Sequence, residues 1–435
     1  MTACATEAAA EGEAAEEPTR GPAAAGPDGA APGALTLTAD GSYAARLAGT
    51  GEAHYVERWT LGGPEPYAVP LPLDQPEEAH TAVQPLADGR VLVVRRAAER
   101  SLFSLLYPTG PATGQVHLGA VAGPVVLLPP CPDGVRAYVL TPGAHATGVW
   151  LVAGGAPGPQ RVAVVPGRCS GGAWLDRAGR MLALDRRLPE GGPVKAVSVD
   201  LARGGEVAPL LQITESSDDR LLLADPDSGL IVVRSDAPAP GRDRLGWGVL
   251  GSLEPVRFPE SLRLPDAVVT PFALQPGQAL APEDCAVAVR IDGAAGSWVG
   301  AWSPAARRLH QLAPPEGWLA GTGAWGRDGC LHLPYTTGQV PCGVARASRE
   351  ESFGLGGGRG GAPAAASTAG PGVPAGAACG TPAGTAPAEC APGVSPGASS
   401  GDGAGGPSRT EAGAAGARRP VPLQQAPLTG RVMHG

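Results

Sequence analysis

One unit recurs along this chain: a short apolar run, a turn built on Asp-Gly or a close variant, and a second run rich in β-branched residues. The copies read ALTLTADGSYAARL, AVQPLADGRVLVVRR, VVLLPPCPDGVRAYVL, GGAWLDRAGRMLALDR, RLLLADPDSGLIVVRS and GTGAWGRDGCLHLPY. A degenerate copy, VVTPFALQPGQALAPEDCAVAVRI, lies between the last two, its turn stretched into a proline-rich loop. Tight turns between strands need a positive φ, which glycine adopts freely and aspartate tolerates. The chain has no asparagine, so Asp-Gly is the expected choice. A unit repeated at a fixed period cannot bury its apolar face alone and must stack on its neighbours.

Each core is followed by a third β-rich run, and all but the last by a fourth. The third runs are HYVERWTL, SLFSLLYP, TGVWLVAG, VKAVSVDL, RLGWGVLG, GSWVGAWS and QVPCGVARA. The fourth begin at Pro66, Gly114, Gln160, Glu206, Glu254 and Arg307, so the first four intervals are 46 to 48 residues and the last is 53. Four strands repeated at that spacing make a propeller blade. The expectation is an all-β fold, a seven-bladed β-propeller of four-stranded antiparallel blades over residues 34–350. Composition agrees. With 66 Gly and 48 Pro in 435 residues, a helical bundle, a coiled coil and a collagen are excluded. The eight tryptophans fall in the runs or at their ends and are expected to pack between blades.

Two segments lack the apolar content to offset their ordering entropy and are expected to be disordered. They are an N-terminal arm, 1–33, and a Gly/Ala/Pro-rich insertion or tail, 351–419. Residues 420–430 leave low complexity and look much like PYAVPLPLDQP of the first unit. Two readings stand for them: an outer strand of the last blade near Val421–Leu428, or a plain tail.

The blades resemble TolB-type and WD-repeat β-propellers, and the propeller that precedes the hydrolase domain in prolyl-oligopeptidase-like enzymes. The shared feature is the PDG or ADG turn between first and second strands. The resemblance covers roughly residues 34–350 and implies a fold, not an activity. No Trp-Asp pair closes the third strands, and no hydrolase domain follows the blades. The chain is also similar to actinobacterial propeller proteins. A single lysine (Lys195) against 32 arginines fits a GC-rich genome of that kind.

The net charge of −8 argues against nucleic acid as a partner, since phosphate binding needs a basic patch. No run reaches the ~20 apolar residues that span a bilayer, and the N-terminus lacks the basic start and apolar stretch of a secretory signal. A cytoplasmic location without membrane contact is expected. The eight cysteines have no paired short spacing and read as free thiols. Cys330, His332 and Cys342 approach a metal set but lack a fourth ligand. Gly393-Val394-Ser395-Pro396-Gly397 fits a nucleophile elbow, and Gly356, Gly358 and Gly361 fit a dinucleotide fingerprint, yet neither has the strand–helix context it needs. Gly167-Arg168-Cys169-Ser170-Gly171-Gly172 reads as a crowded inner strand rather than a nucleophile site.

Without a catalytic constellation or an implied cofactor, the loop face remains. Turns between second and third strands, and connections from fourth to first strands, gather at one mouth of the ring. They place His54, Asp74, Glu77, Glu78 and His80, with Glu52, on one side, and Glu215, Asp218 and Asp219 across the ring. Arg95, Arg96 and Arg100 lie on one neighbouring loop, Arg186 and Arg187 on another. The expected function is a non-catalytic platform binding a protein or peptide at this face. The alternative is a metal-dependent enzyme or small-ligand binder, as in lactonase-like propellers, which requires Glu77, Glu78, His80 and His54 to converge.

Overall fold

The computed structural model of the chain describes residues 34–277 and 280–354. They form seven antiparallel sheets in strict chain order, a seven-bladed β-propeller. Blade one is Thr36–Leu37, Tyr43–Thr50, Ala53–Thr60 and Tyr67–Leu71, and blade two is Ala82–Pro85, Val91–Ala97, Arg100–Pro108 and Thr113–Ala122. Blade three is Val126–Leu127, Ala137–Pro142, Ala146–Ala153 and Gln160–Pro166, and blade four is Arg168–Trp174, Met181–Arg187, Lys195–Asp200 and Glu206–Leu211. Blade five has Asp219–Ala224, Leu230–Ser235 and Arg244–Val249; blade six has Ala267–Leu274, Val287–Gly293, Gly296–Trp302 and Leu309–Leu312. Blade seven has Ala324–Trp325, Leu331–Tyr335 and Gly343–Ala347.

Among the described residues, then, five sheets have four strands and two have three. The expected outer strand of blade five shrinks to one bridge, Trp247 with Arg257. Pro255 and Pro259 flank that bridge and lack the N–H a longer ladder would use. The 1–33 arm, the nucleophile-elbow and dinucleotide-fingerprint matches and the candidate strand at 420–430 lie outside the described residues. The described residues continue past the last strand to Gly354. A helical turn, Arg349–Ser352, is closed by a capping box between Ser348 and Glu351, and Phe353 is buried after it.

The first turn of each regular repeat has one design. In blade two the Gly89 N–H donates to the Leu86 carbonyl (3.0 Å), and the Leu86 N–H to the Arg90 carbonyl (2.8 Å). Gly89 takes a φ of +80° there, the left-handed conformation that glycine adopts without a Cβ clash. The aspartate contributes more than tolerance of that geometry. Its carboxylate accepts the N–H two residues on, as Asp88 does from Arg90 (3.0 Å), Asp133 from Val135 (2.9 Å) and Asp328 from Cys330 (3.1 Å).

Strand alternation feeds both faces of each sheet. Val91 and Val93 join the apolar cluster shared with blade one, whereas Leu92 and Val94 join the one shared with blade three. The same holds around the ring: the buried apolar residues form clusters that each straddle one blade seam. The seam that closes the ring packs Cys342 of blade seven against Leu35, Ala44 and Trp59 of blade one. All eight tryptophans line these seams, as expected.

The described cysteines are free thiols, and Cys131, Cys169, Cys285 and Cys342 are buried. Burial pushes Cys131 and Cys342 up to about 12 and Cys169 to about 11, from an ordinary 9.0. The unfolded chain therefore releases thiol protons at lower pH than the folded one. Their contribution to stability is intact below about pH 9 and is lost as pH rises toward 12. The denaturation midpoint should fall across that window. Alkylation of the native protein at neutral pH, mapped by peptide mass, should label half-exposed Cys330 well before the four buried thiols. Rapid native labelling of Cys342 would contradict the closed seam.

Candidate functional site

The antiparallel blades bring the second-to-third-strand turns and the inter-blade connections to one end of the ring. Four connections are latched there to the turn of the blade they leave, each through one backbone hydrogen bond. Glu77 N–H donates to the His54 carbonyl (2.8 Å), Gly123 to Glu99 (2.7 Å), Gly167 to His145 (2.7 Å) and Asp219 to Val194 (2.8 Å). Between blades three and four, buried Thr147 doubles the latch. Its Oγ1 donates to the Gly167 carbonyl (2.9 Å) and accepts from the Cys169 N–H (2.8 Å). Gly167 to Gly172 is thus seam structure, consistent with its reading as a crowded inner strand.

The carboxylates expected on this face divide by depth. Glu77 turns inward, buried, and takes a bidentate ion pair from Arg95, with Nη2–Oε1 at 2.6 Å and Nε–Oε2 at 2.8 Å. Asp219 is completely buried. It accepts from Lys195 Nζ (2.7 Å), the Ser217 and Ser235 hydroxyls (2.9 and 2.6 Å) and the Ile213 N–H (2.9 Å). Asp218 accepts the Val194 N–H (2.7 Å) and lies 3.7 Å from Arg187. Glu78 and His80 point outward as an exposed pair at 2.7 Å, each side chain 62% accessible. Asp74, Glu52 and Glu215 are exposed at loop tips, as are Arg96 and Arg100, while His54 and Arg186 are half-buried.

His54 and Glu77 are therefore joined through their backbones, while Glu77 faces Arg95 and Glu78 faces His80. No group of three or more His, Cys, Asp or Glu among the described residues is arranged to hold a metal ion. Cys330 and His332 lie on blade seven while Cys342 packs into the seam with blade one. The His332 Nε2 is buried without a partner, and burial, reinforced by Arg346, lowers its basicity.

The only lysine of the chain proves to be structural. Lys195 Nζ donates to the Thr214 and Ser217 carbonyls (2.5 and 2.7 Å) as well as to Asp219, clipping the third strand of blade four to the connection into blade five. A compact ammonium can address three oxygens that converge on one point, whereas a guanidinium spreads its donors over a planar fork.

The remaining seams lack the backbone latch among the described residues, beginning with the one between blades five and six. No backbone bond joins the turn 236–243 to the connection 259–266 among the described residues, and a pair between largely buried Arg244, at the start of the third strand, and exposed Glu260 (2.8 Å) links strand and connection instead. A cavity of about 240 Å³ opens here, lined by apolar residues including Leu245, Leu262 and Val269 and by Arg234, Arg244 and Arg263. These arginines were not among the candidates from sequence. No sequence signal marked them: the extra length of the 53-residue interval lies in the turn between Leu274 and Val287, not at this seam.

Fold and face together define a seven-bladed propeller with its polar loops held at one end of the ring. No family model matches the chain, and no curated protein matches it. Among solved structures it is similar to a putative TolB from Agrobacterium tumefaciens, at 16% identity and a TM-score of 0.35, covering 50% of this chain and 76% of that one. It is similar to TolB from Acinetobacter baumannii at 12% identity and a TM-score of 0.40, covering 71% of this chain and 77% of that one. It is also similar to a Mycobacterium tuberculosis puromycin-hydrolyzing peptidase at 15% identity and a TM-score of 0.48, covering 73% of this chain and 50% of that one. The chain thus spans about half the length of the peptidase. TolB and peptidase propellers are the resemblances expected from the turn motifs.

Replacing Lys195 by Met strands a fully buried carboxylate, a change that costs ~3–5 kcal/mol. The thermal midpoint of Lys195→Met should drop sharply, and Lys195→Arg should recover only part of it. A wild-type midpoint for Lys195→Met would show that the clip carries no stability.

Proposed function

We propose that this chain is a non-catalytic, cytoplasmic propeller that binds a protein or peptide on its loop face. The observation that supports this most is the division of the face into two layers. The inner carboxylates, Glu77 and Asp219, are occupied by Arg95 and Lys195 and hold the loops in place. The outer groups, Asp74, Glu78, His80 and Glu215, stand exposed on that frame. Loops fixed before binding lose little conformational entropy on docking, which favours affinity. Polar groups presented on a rigid scaffold are the usual arrangement for recognition. The free thiols are in the state a reducing compartment maintains. No helix among the described residues is long and apolar enough to cross a membrane.

The test is capture of the partner by the tagged full chain from its source cells, with variants on each face. Asp74→Ala/Glu78→Ala/His80→Ala should abolish stoichiometric capture. Arg90→Ala/Val116→Ala, at the opposite end of blade two, should leave it intact. Loss in the opposite-face variant alone, or no stoichiometric partner at all, would overturn the reading.

A further inference from the structure

We infer that the cavity between blades five and six captures the free C-terminal carboxylate of a peptide, with the last side chain on its apolar floor. This deepens the loop-face reading and rests on it. Four observations support it. First, the cavity opens on the loop face at a seam that, unlike the four before it in the chain, has no backbone bond between the turn 236–243 and the connection 259–266 among the described residues.

Second, the charges are unbalanced in a specific way. Arg244 is paired with Glu260 at 2.8 Å, and Arg263 lies 3.8 Å from the same carboxylate. Asp243 lies exposed among the lining residues. Arg234 is half-buried and has no ion-pair or hydrogen-bond partner among the described residues. A partly desolvated guanidinium without an anion is costly, and a carboxylate matches its planar fork in two parallel hydrogen bonds.

Third, the lower wall is apolar. Leu245, Leu262 and Val269 are each at least 91% buried, and Leu264 and Ala267 pack on the same cluster. An aliphatic side chain set there leaves water for an apolar wall. Val268, at 50% accessible, adds an exposed apolar residue to the lining.

Fourth, the size selects an end group. At about 240 Å³ the cavity is below the ~300–1,000 Å³ typical of small-molecule and cofactor sites. One carboxylate with one side chain fits that volume, and the rest of a peptide would run out across the loop face. A terminal carboxylate is also the group that distinguishes a chain end from any internal segment.

The probe is a pool of heptapeptides randomised at the last three positions, made with free and with amidated C-termini and offered to the full-length protein. Free-acid peptides ending in aliphatic residues should be retained, and their amides should bind at least ~10-fold more weakly. Arg234→Met should lose about the same factor and Arg234→Lys a smaller one, each with its thermal midpoint recorded to exclude unfolding. Glu260→Gln should keep or tighten binding, and Leu262→Asp should abolish it while acid–amide discrimination is read at the intact site. Equal retention of acid and amide pools, or none of either at about 1 mM peptide, would overturn the inference. So would N-acetyl-leucine binding as tightly as the peptides, which would assign the cavity to small carboxylic acids. If this test fails while the Asp74/Glu78/His80 variant still loses its partner, the loop-face reading survives without the cavity. If both fail, the face itself is wrong.

Discussion

A sheet that is apolar on both faces must be covered on both, and for these short blades the only available covers are other blades. That requirement organises the molecule. Each described apolar cluster straddles one seam, and none lies within a single blade. At roughly 25 cal/mol per Å² of apolar surface removed from water, the stabilisation lies between sheets. No blade is then expected to persist alone, and the ring stands or falls by its seams. The seam closing the ring has the fewest buried residues, Leu35, Ala44, Trp59 and Cys342. It is bordered by a paired charge: Glu57 accepts from Arg46 and from the Trp59 indole, both at 2.7 Å.

Burial on both faces leaves the ring's ends as the place for charge. At one end the backbone latches tie successive connections to the preceding turns, and Glu77 and Asp219 reinforce two of them with buried ion pairs. This explains why the carboxylates nearest the inner strands are not free to bind ligands: their lone pairs are committed to N–H, hydroxyl and cationic donors in the frame. It also gives meaning to the departure at seam five–six. There the connection carries Pro255, Pro259 and a helical turn, Glu260–Leu262, in place of a full outer strand. A cavity lies there, with half-buried Arg234 and exposed Val268 in its lining over the buried seam residues Leu245, Leu262 and Val269.

The architecture was legible because it is periodic. Repeats of Asp-Gly turns and alternating apolar residues fix blade number, strand order and the seam positions of the tryptophans. The site was legible only to the level of a face. Sequence placed Glu77 and Asp219 there but could not separate them from Glu78 and Asp74, since depth depends on which neighbouring blade supplies Arg95 or Lys195 at that register. Arg234 was invisible for a similar reason. Among 32 arginines nothing local marks one that lines a cavity without an anion beside it. Lys195 could have been flagged. In a chain that uses arginine everywhere else, a lone lysine points to a geometry that arginine cannot satisfy.

The loop face is latched at the first four seams and has no such bond at the seam between blades five and six. Native-state hydrogen exchange, read amide by amide on the full chain, tests this directly. The amides of Glu77, Gly123, Gly167 and Asp219 should exchange as slowly as those of the central strands, because each is released only when its seam opens. Those in the 236–243 turn and the 259–266 connection should exchange faster. If the four latch amides exchange at the rate of exposed turns, the loop face is not a fixed frame, and the binding role argued from it falls.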